Sequence, residues 1–213
     1  MTFTLPDPGK PNPEFERPAD AALLRQVAQA LSARGFVAEV AESGSDARDR
    51  VLADLPEGGE THAALSQTLT DLGITAEIDE SGRYESVRQK LKGMDPATQG
   101  REMRKLGAAP DVIVGSAHAV TESGDVLVAS GSGSQLGAYA YAGGRVILVI
   151  GHQKVVRDIE EGLRRIREYS LPREFQRMQA MGRAGTVWSE TLILHHSFRQ
   201  RIRVILVPET LGF

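Results

Sequence analysis

Runs of β-branched and aliphatic residues alternate along this chain with stretches whose apolar positions recur at helical spacing. That spacing begins near Ala19, where Ala22, Leu23, Val27 and Leu31 share a face. Phe36 to Ala41 reads as a strand, and Asp46 to Leu55 as a helix closed by the Pro56-Glu57-Gly58-Gly59 turn. The pattern then predicts a helix over Thr61 to Leu72 ended by Gly73, a strand over Ile74 to Ile78, and a largely helical Tyr84 to Leu106 broken at Pro96. Buried-type strands follow at Asp111 to Val114, Val126 to Ala129 and Arg145 to Ile150. Val155 to Tyr169 reads as an amphipathic helix with Val155, Ile159, Leu163 and Ile166 as its apolar stripe, Arg164, Arg165 and Arg167 on a solvated face, and Pro172 as its stop. Thr186 to Leu194 and Arg201 to Val207 read as an antiparallel hairpin. The sum is an α/β fold: a mostly parallel sheet flanked by helices, with a C-terminal antiparallel hairpin.

Proline sets the ends of that domain. Pro6, Pro8, Pro11, Pro13 and Pro18 remove backbone donors and fix φ, so residues 1–18 are expected as an extended tail and residues 19–213 as one α/β domain. A length of 213 residues suits that division. A net charge of −3 gives no field that would attract nucleic acid or an anionic membrane. The sequence holds no cysteine, which excludes disulfides, thiolate zinc sites and a cysteine-ligated iron–sulfur cluster within this chain. No apolar run is long enough to span a bilayer and no signal pattern opens the chain, so a cytoplasmic location is expected. Pairing into a homo-oligomer is open, with nothing to specify an interface.

Candidate chemistry collects between Asp111 and Lys154. Two apolar runs end at a glycine and a polar residue, Gly115-Ser116 and Gly151-His152, and ligands of open α/β sheets gather at the carboxyl ends of strands. The loop Gly131-Ser132-Gly133-Ser134-Gln135-Leu136-Gly137 follows a strand, and its glycines would let backbone approach an anionic ligand; a plain turn is the competing reading. Its spacing misses the dinucleotide fingerprint, and no P-loop Lys-Ser/Thr pair is present. Glu122, in the turn Thr121-Glu122-Ser123-Gly124, could serve as base, nucleophile or acceptor, or simply be an exposed turn residue. His118 could join it in acid–base work. Lys154, after the third central strand, could pair with a phosphate or carboxylate, or be a lysine at the start of a solvent-facing helix. The five histidines make no metal-ligand spacing: His195 and His196 are adjacent, and the other three are scattered.

These residues carry a family resemblance. The run Gly115-Ser116-Ala117-His118-Ala119-Val120-Thr121-Glu122-Ser123-Gly124 is similar to the lactate utilization (LUD) domain proteins, as are Gly131-Ser132-Gly133 and Gly151-His152-Gln153-Lys154-Val155-Val156. Ser66-Gln67-Thr68-Leu69 with Leu72-Gly73, the stretches Glu160 to Arg167 and Pro172 to Arg177, and the terminal Arg201 to Gly212 extend it. The chain most resembles the lactate utilization protein C type. It departs from that pattern at His118 and Gln153, where Asn is common, and at Ser134-Gln135, where Asn-Arg is common. The resemblance implies a sugar-phosphate isomerase/CoA-transferase-like fold. It also implies a role in L-lactate oxidation to pyruvate beside iron–sulfur and oxidoreductase partner subunits. By analogy with that fold, Glu122 would be a nucleophile or base of a free-standing isomerase or CoA-transferase-like enzyme. The ligand-binding set would be Ser66, Thr68, Gly115, Ser116, Gly131, Ser132, Gly133, Ser134, Gln135 and Lys154.

Overall fold

Asp20 caps the first long helix, its carboxylate accepting the Leu23 N–H at 2.8 Å, in a computed structural model that describes residues 5–213. That helix, α1 (Ala21–Ala33), buries Leu24, Val27 and Leu31. β1 (Val37–Val40) and α2 (Gly44–Asp54) follow, then β2 (Glu60–Ala63), α3 (Gln67–Asp71) and α4 (Ile74–Glu80). The short β3 (Glu85–Ser86) leads into α5 (Val87–Lys92) and α6 (Pro96–Ala108). The central stretch forms β4 (Val112–Gly115), β5 (Ala119–Thr121), β6 (Val126–Ser130), β7 (Arg145–Gly151) and β8 (Val155–Val156). α7 (Ile159–Arg165), a π turn (Ile166–Ser170) and α8 (Leu171–Ala180) run on without a break. β9 (Glu190–Leu194) and β10 (Ile202–Val207) complete the chain.

The strands form two sheets. One has six strands in the order β1-β10-β7-β4-β2-β3, all parallel. The other has four, β8-β5-β6-β9, with β5 parallel to β8 and antiparallel to β6. Side chains alternate across a strand, and the burial follows. Val146, Leu148 and Ile150 of β7 point with Ile202, Val204 and Leu206 of β10 into a core shared with α1 and the second sheet. Ile147, Val149, Ile205 and Val207 point the other way, onto α2, α3 and α4. The second sheet turns its far face (Ala119, Leu127, Ala129, Val156) to Ile166 and α7. A mostly parallel α/β sheet flanked by helices is therefore the architecture.

Several elements differ from the sequence reading, each for an identifiable reason. Thr61–Ala63 is a strand because it pairs between β3 and β4, where sheet contacts outweigh local pattern. Ile74–Ile78 is helical: Gly73, at φ 67°, turns the chain, and Ile74 and Ile78 are an i,i+4 pair on one buried helix face. Val155-Val156 pairs with β5, so α7 begins only at Ile159, capped by Asp158. Pro172 does not stop the helix, because the π turn before it takes up the lost i→i−4 bond. Arg165 is not on a solvated face; it is fully buried. The C-terminal hairpin is replaced by strands in different sheets: β9 lies antiparallel to β6, and β10 lies parallel between β1 and β7. The turn between them uses positive φ at Arg199 (56°) and Gln200 (53°).

Of the proline-rich tail, residues 1–4 lie outside the described residues. The rest docks: Asn12 N–H donates to the Glu168 carbonyl at 2.9 Å, Phe15 is buried, and the Arg164 guanidinium lies 4.9 Å from its ring.

One contact locks the end of β4 to the helical turn after the glycine loop. A Cβ on Gly115 would lie 1.6 Å from the Tyr139 hydroxyl, with both residues buried. Gly115→Ala should therefore cost about 1–3 kcal/mol through overpacking, and Tyr139→Phe in the same chain should return part of it. Urea unfolding of the four-member mutant cycle measures this; additive losses would show that the two residues do not meet.

Candidate functional site

Two of the chain's passages from one sheet to the other are short and lie side by side. β4 leads into β5 across Ser116–His118, and β7 into β8 across His152–Lys154. β4 pairs with β7 and β5 with β8, both parallel, so the two crossings are neighbours. They lie at the carboxyl ends of the parallel strands, where backbone leaves the ladder and side chains converge.

Lys154 is the centre of this junction, 1 % exposed. Its ammonium donates to Thr68 Oγ1 at 3.0 Å and to Ser116 Oγ at 3.1 Å. The hydroxyl protons are committed elsewhere. Ser116 donates to the Val149 carbonyl at 2.7 Å, and Thr68 to the Leu211 carbonyl at 3.2 Å. No carboxylate forms an ion pair with Lys154 among the described residues. Burial pushes its amine well below the ordinary lysine range and the Arg165 charge pushes further, against a smaller opposing pull from Asp71.

The segment after β10 closes one side. Gln153 donates to the Leu211 and Gly212 carbonyls at 3.0 and 3.2 Å, and the Asp71 carboxylate accepts the Gly212 N–H at 3.0 Å. Gly212 sits at φ 57° with space for no side chain, since a Cβ would meet Thr68 Oγ1 at 2.5 Å.

His118 lies half-buried in the other crossing, and its Nδ1 accepts the Ala129 N–H at 3.1 Å. That bond leaves the ring proton on Nε2. Burial first, and then the charges of Lys154 and Arg165, push its pKa down to about 3. This environment favours the neutral ring at physiological pH.

The glycine loop starts next to His118 through Ala129. Ser130 Oγ accepts the Ser132 and Gly133 N–H groups at 3.3 and 2.9 Å and donates to Gln135 Oε1 at 3.0 Å. Gln135 Nε2 returns a 3.4 Å bond to the Ala129 carbonyl. The loop thus consumes its own amides in a serine-capped turn. Gly131, Ser132 and Ser134 are exposed. Ser66 is half-buried at the N-cap of α3, whose first turn presents Thr68 to Lys154.

Glu122 stands apart from this cluster. It follows β5 at the end opposite His118, four residues along extended chain, which is about 13 Å. Its carboxylate makes no hydrogen bond to a described residue, and it lines a cleft of about 150 Å³ with Phe15, Gln153 and Arg157. Asp125 fixes this turn. It binds Arg34 at 2.5 Å, His195 Nδ1 at 2.7 Å, and the Thr121 and Ser123 hydroxyls at 3.1 and 3.0 Å. Burial raises its pKa, but His195, the two hydroxyls and Arg34 together outweigh that and hold it low.

Two buried residues at the junction escape a reading of the sequence. Tyr139 has its hydroxyl at Gly115, and burial raises its pKa. Arg165 donates to the His118 carbonyl and to Ser170 Oγ, the latter at 3.1 Å. Gly162, one turn earlier on the same face, would have shown which side of α7 approaches the sheet: a Cβ there would meet Leu127 at 2.8 Å.

The model of the LUD domain family matches residues 24–207, a span that includes both crossings, the glycine loop and α7. The chain belongs to the LUD domain family. Among solved structures, it is similar to a DUF162 family protein from Deinococcus radiodurans, at a TM-score of 0.54 and 14% identity. That likeness covers 89% of this chain and 99% of the other, and it shows a shared fold. A search of curated proteins gave no match. Family membership supports a role in lactate utilization. Among the described residues no His/Cys/Asp/Glu group suits a metal ion, and no helix is long and apolar enough to cross a membrane.

His118 yields a pH test. Its folded pKa of about 3 lies below the ordinary 6.5, so between these values the unfolded chain holds the proton and the folded one does not. Its contribution to stability is complete above the ordinary value and is lost as pH falls towards the folded one, at up to about 1.4 kcal/mol per pH unit. The His118 imidazole resonances should stay those of a neutral ring from pH 7 to pH 5. Titration near the ordinary value would contradict the buried geometry.

Proposed function

We propose that this LUD domain protein is a cytoplasmic component of L-lactate utilization, the oxidation of L-lactate to pyruvate. In that reading it binds a small anion at the two crossings and acts with iron–sulfur and oxidoreductase partner subunits. One observation carries the binding part: the buried Lys154 ammonium is met by two hydroxyls and no carboxylate. Buried charge is ordinarily paired, and an anionic ligand would supply the missing partner. The absence of cysteine bears on the rest, since the chain has no thiolates for a cluster and electrons must pass through partners. Ser116, Thr68 and Lys154 form the core of the site. Ser66, Gly115, Gly131, Ser132, Gly133, Ser134 and Gln135 shape its surroundings, and His118 contributes a neutral donor.

A second reading makes the chain a free-standing isomerase or CoA-transferase-like enzyme with Glu122 as nucleophile or base. Its support is the unpaired Glu122 carboxylate in a cleft, held on a turn that Asp125 makes rigid. The distance between Glu122 and the Lys154 cluster favours the first reading.

Thermal unfolding in the presence of L-lactate, pyruvate, sugar phosphates, CoA esters and nucleotides separates them, because a ligand of the folded state raises Tm by mass action. L-lactate or pyruvate should raise the Tm of wild type and of Glu122→Gln, and should leave Lys154→Gln unmoved. A shift confined to CoA esters or sugar phosphates and altered in Glu122→Gln would favour the second reading. The partner assignment has its own measurement. Affinity purification under reducing, anaerobic conditions should recover a protein with iron–sulfur absorbance, and clean preparations without one would remove that part.

A further inference from the structure

Arg165 is the largest fully buried side chain of the molecule and is only partly satisfied. Its Nη1 is used: it donates to the His118 carbonyl and to Ser170 Oγ. The Ser170 contact spans five residues, the repeat of the π turn that follows α7, so the widened helix holds this end of the guanidinium in place. Its Nε and Nη2 are buried and have no hydrogen-bond partner among the described residues. These two groups lie on the same edge of a guanidinium and point in parallel, the geometry that grips a carboxylate with two bonds at once. The Tyr169 ring, 5.0 Å from Cζ, attracts the charge but places no acceptor in the plane of the fork. No carboxylate pairs with Arg165 among the described residues, although exposed arginines of the same chain find partners readily. Two orphaned charged donors in the interior are costly unless something completes them.

We infer that the free Nε–Nη2 edge of Arg165 is a second anchor of the anion site, taking the carboxylate of a small monocarboxylic acid. This rests on the anion-binding reading of the Lys154 junction and adds the ligand's class to it. Arg165 is close enough to Lys154 for its charge to bear on the amine, and both act on the His118 ring between the crossings. A carboxylate is favoured over a phosphate because two in-plane donors match its two oxygens and leave none over. A phosphate would keep further charged oxygens in a protein interior.

The test uses the whole chain, with L-lactate, pyruvate, the uncharged lactamide and inorganic phosphate as probes. In wild type, the Arg165 Nε–H resonance should move on addition of L-lactate or pyruvate and stay still with lactamide. Arg165→Lys keeps the charge but loses the fork, and should bind the acids about tenfold more weakly or worse. The wild-type resonance decides the matter even if that variant does not fold. If the acids bind wild type while the Nε–H stays put and Arg165→Lys binds as tightly, the role of Arg165 is overturned and the Lys154 site stands. Binding of phosphate without either acid would overturn the carboxylate assignment. If none of the probes binds wild type, the anion site and this anchor fall together.

Discussion

A buried lysine to which the described residues give no counter-ion sets the terms for this junction. Lys154 is buried where β7 hands over to β8, and the hydroxyls around it have already given their protons to backbone carbonyls. They can only accept, which suits an ammonium and leaves its charge without a counter-ion. Desolvation of such a group costs several kcal/mol, so the surroundings must be stable enough to impose it. The means are visible. Two stacked sheets fix both crossings, the segment after β10 is pinned by Gln153 and Asp71, and the Tyr139 hydroxyl fills the space that Gly115 leaves open. A ligand that neutralised the cation would recover part of that cost as binding energy.

The two-sheet design explains why polar residues gather at this point of the core. Within a parallel ladder the backbone is paired and apolar side chains fill both faces. Where the chain leaves one sheet for the other by a short step, three residues have no ladder to join. Two such short steps, Ser116–His118 and His152–Lys154, run next to each other because β4 pairs with β7 and β5 with β8. A paired crossing therefore makes a polar cluster between two apolar layers, with α3 adding Thr68 from above the parallel strands. The site is a consequence of topology before it is one of chemistry.

Much of this was legible in sequence, and the failures share a cause. The runs ending at Gly115-Ser116 and Gly151-His152 located the site, and Ser66-Gln67-Thr68 was part of the family pattern. Local periodicity could not say which sheet a strand joins. Thr186 to Leu194 and Arg201 to Val207 are apolar and adjacent, the signature of a hairpin, yet their partners β6, β1 and β7 are distant in sequence. The same limit hid Arg165. Charge argues for solvent at any single helix position, and only the close approach of Gly162 to Leu127 shows that this face of α7 is the covered one. Ile74 and Ile78 failed differently, since a four-residue spacing fits a helix face or two same-side strand positions equally well.

The turn after β5 shows how a motif can divide between architecture and chemistry. Every residue of Thr121-Glu122-Ser123-Gly124-Asp125 except one has a structural task. Thr121 and Ser123 donate to Asp125, Asp125 clamps Arg34 and His195, and Gly124 at φ 90° lets the turn sit on α1, where a Cβ would meet the Ala30 carbonyl carbon at 2.9 Å. Glu122 alone has no such task, and its carboxylate is presented to a cleft by a turn that cannot easily move. The strand between it and His118 keeps it at the far end of β5 from the buried cations. A single small acid held at Arg165 and Lys154 could not reach it without leaving both. Glu122 can therefore meet only a ligand that extends along β5 or a separate molecule in its own cleft, and a two-carbon extension of a bound acid would not bridge the gap.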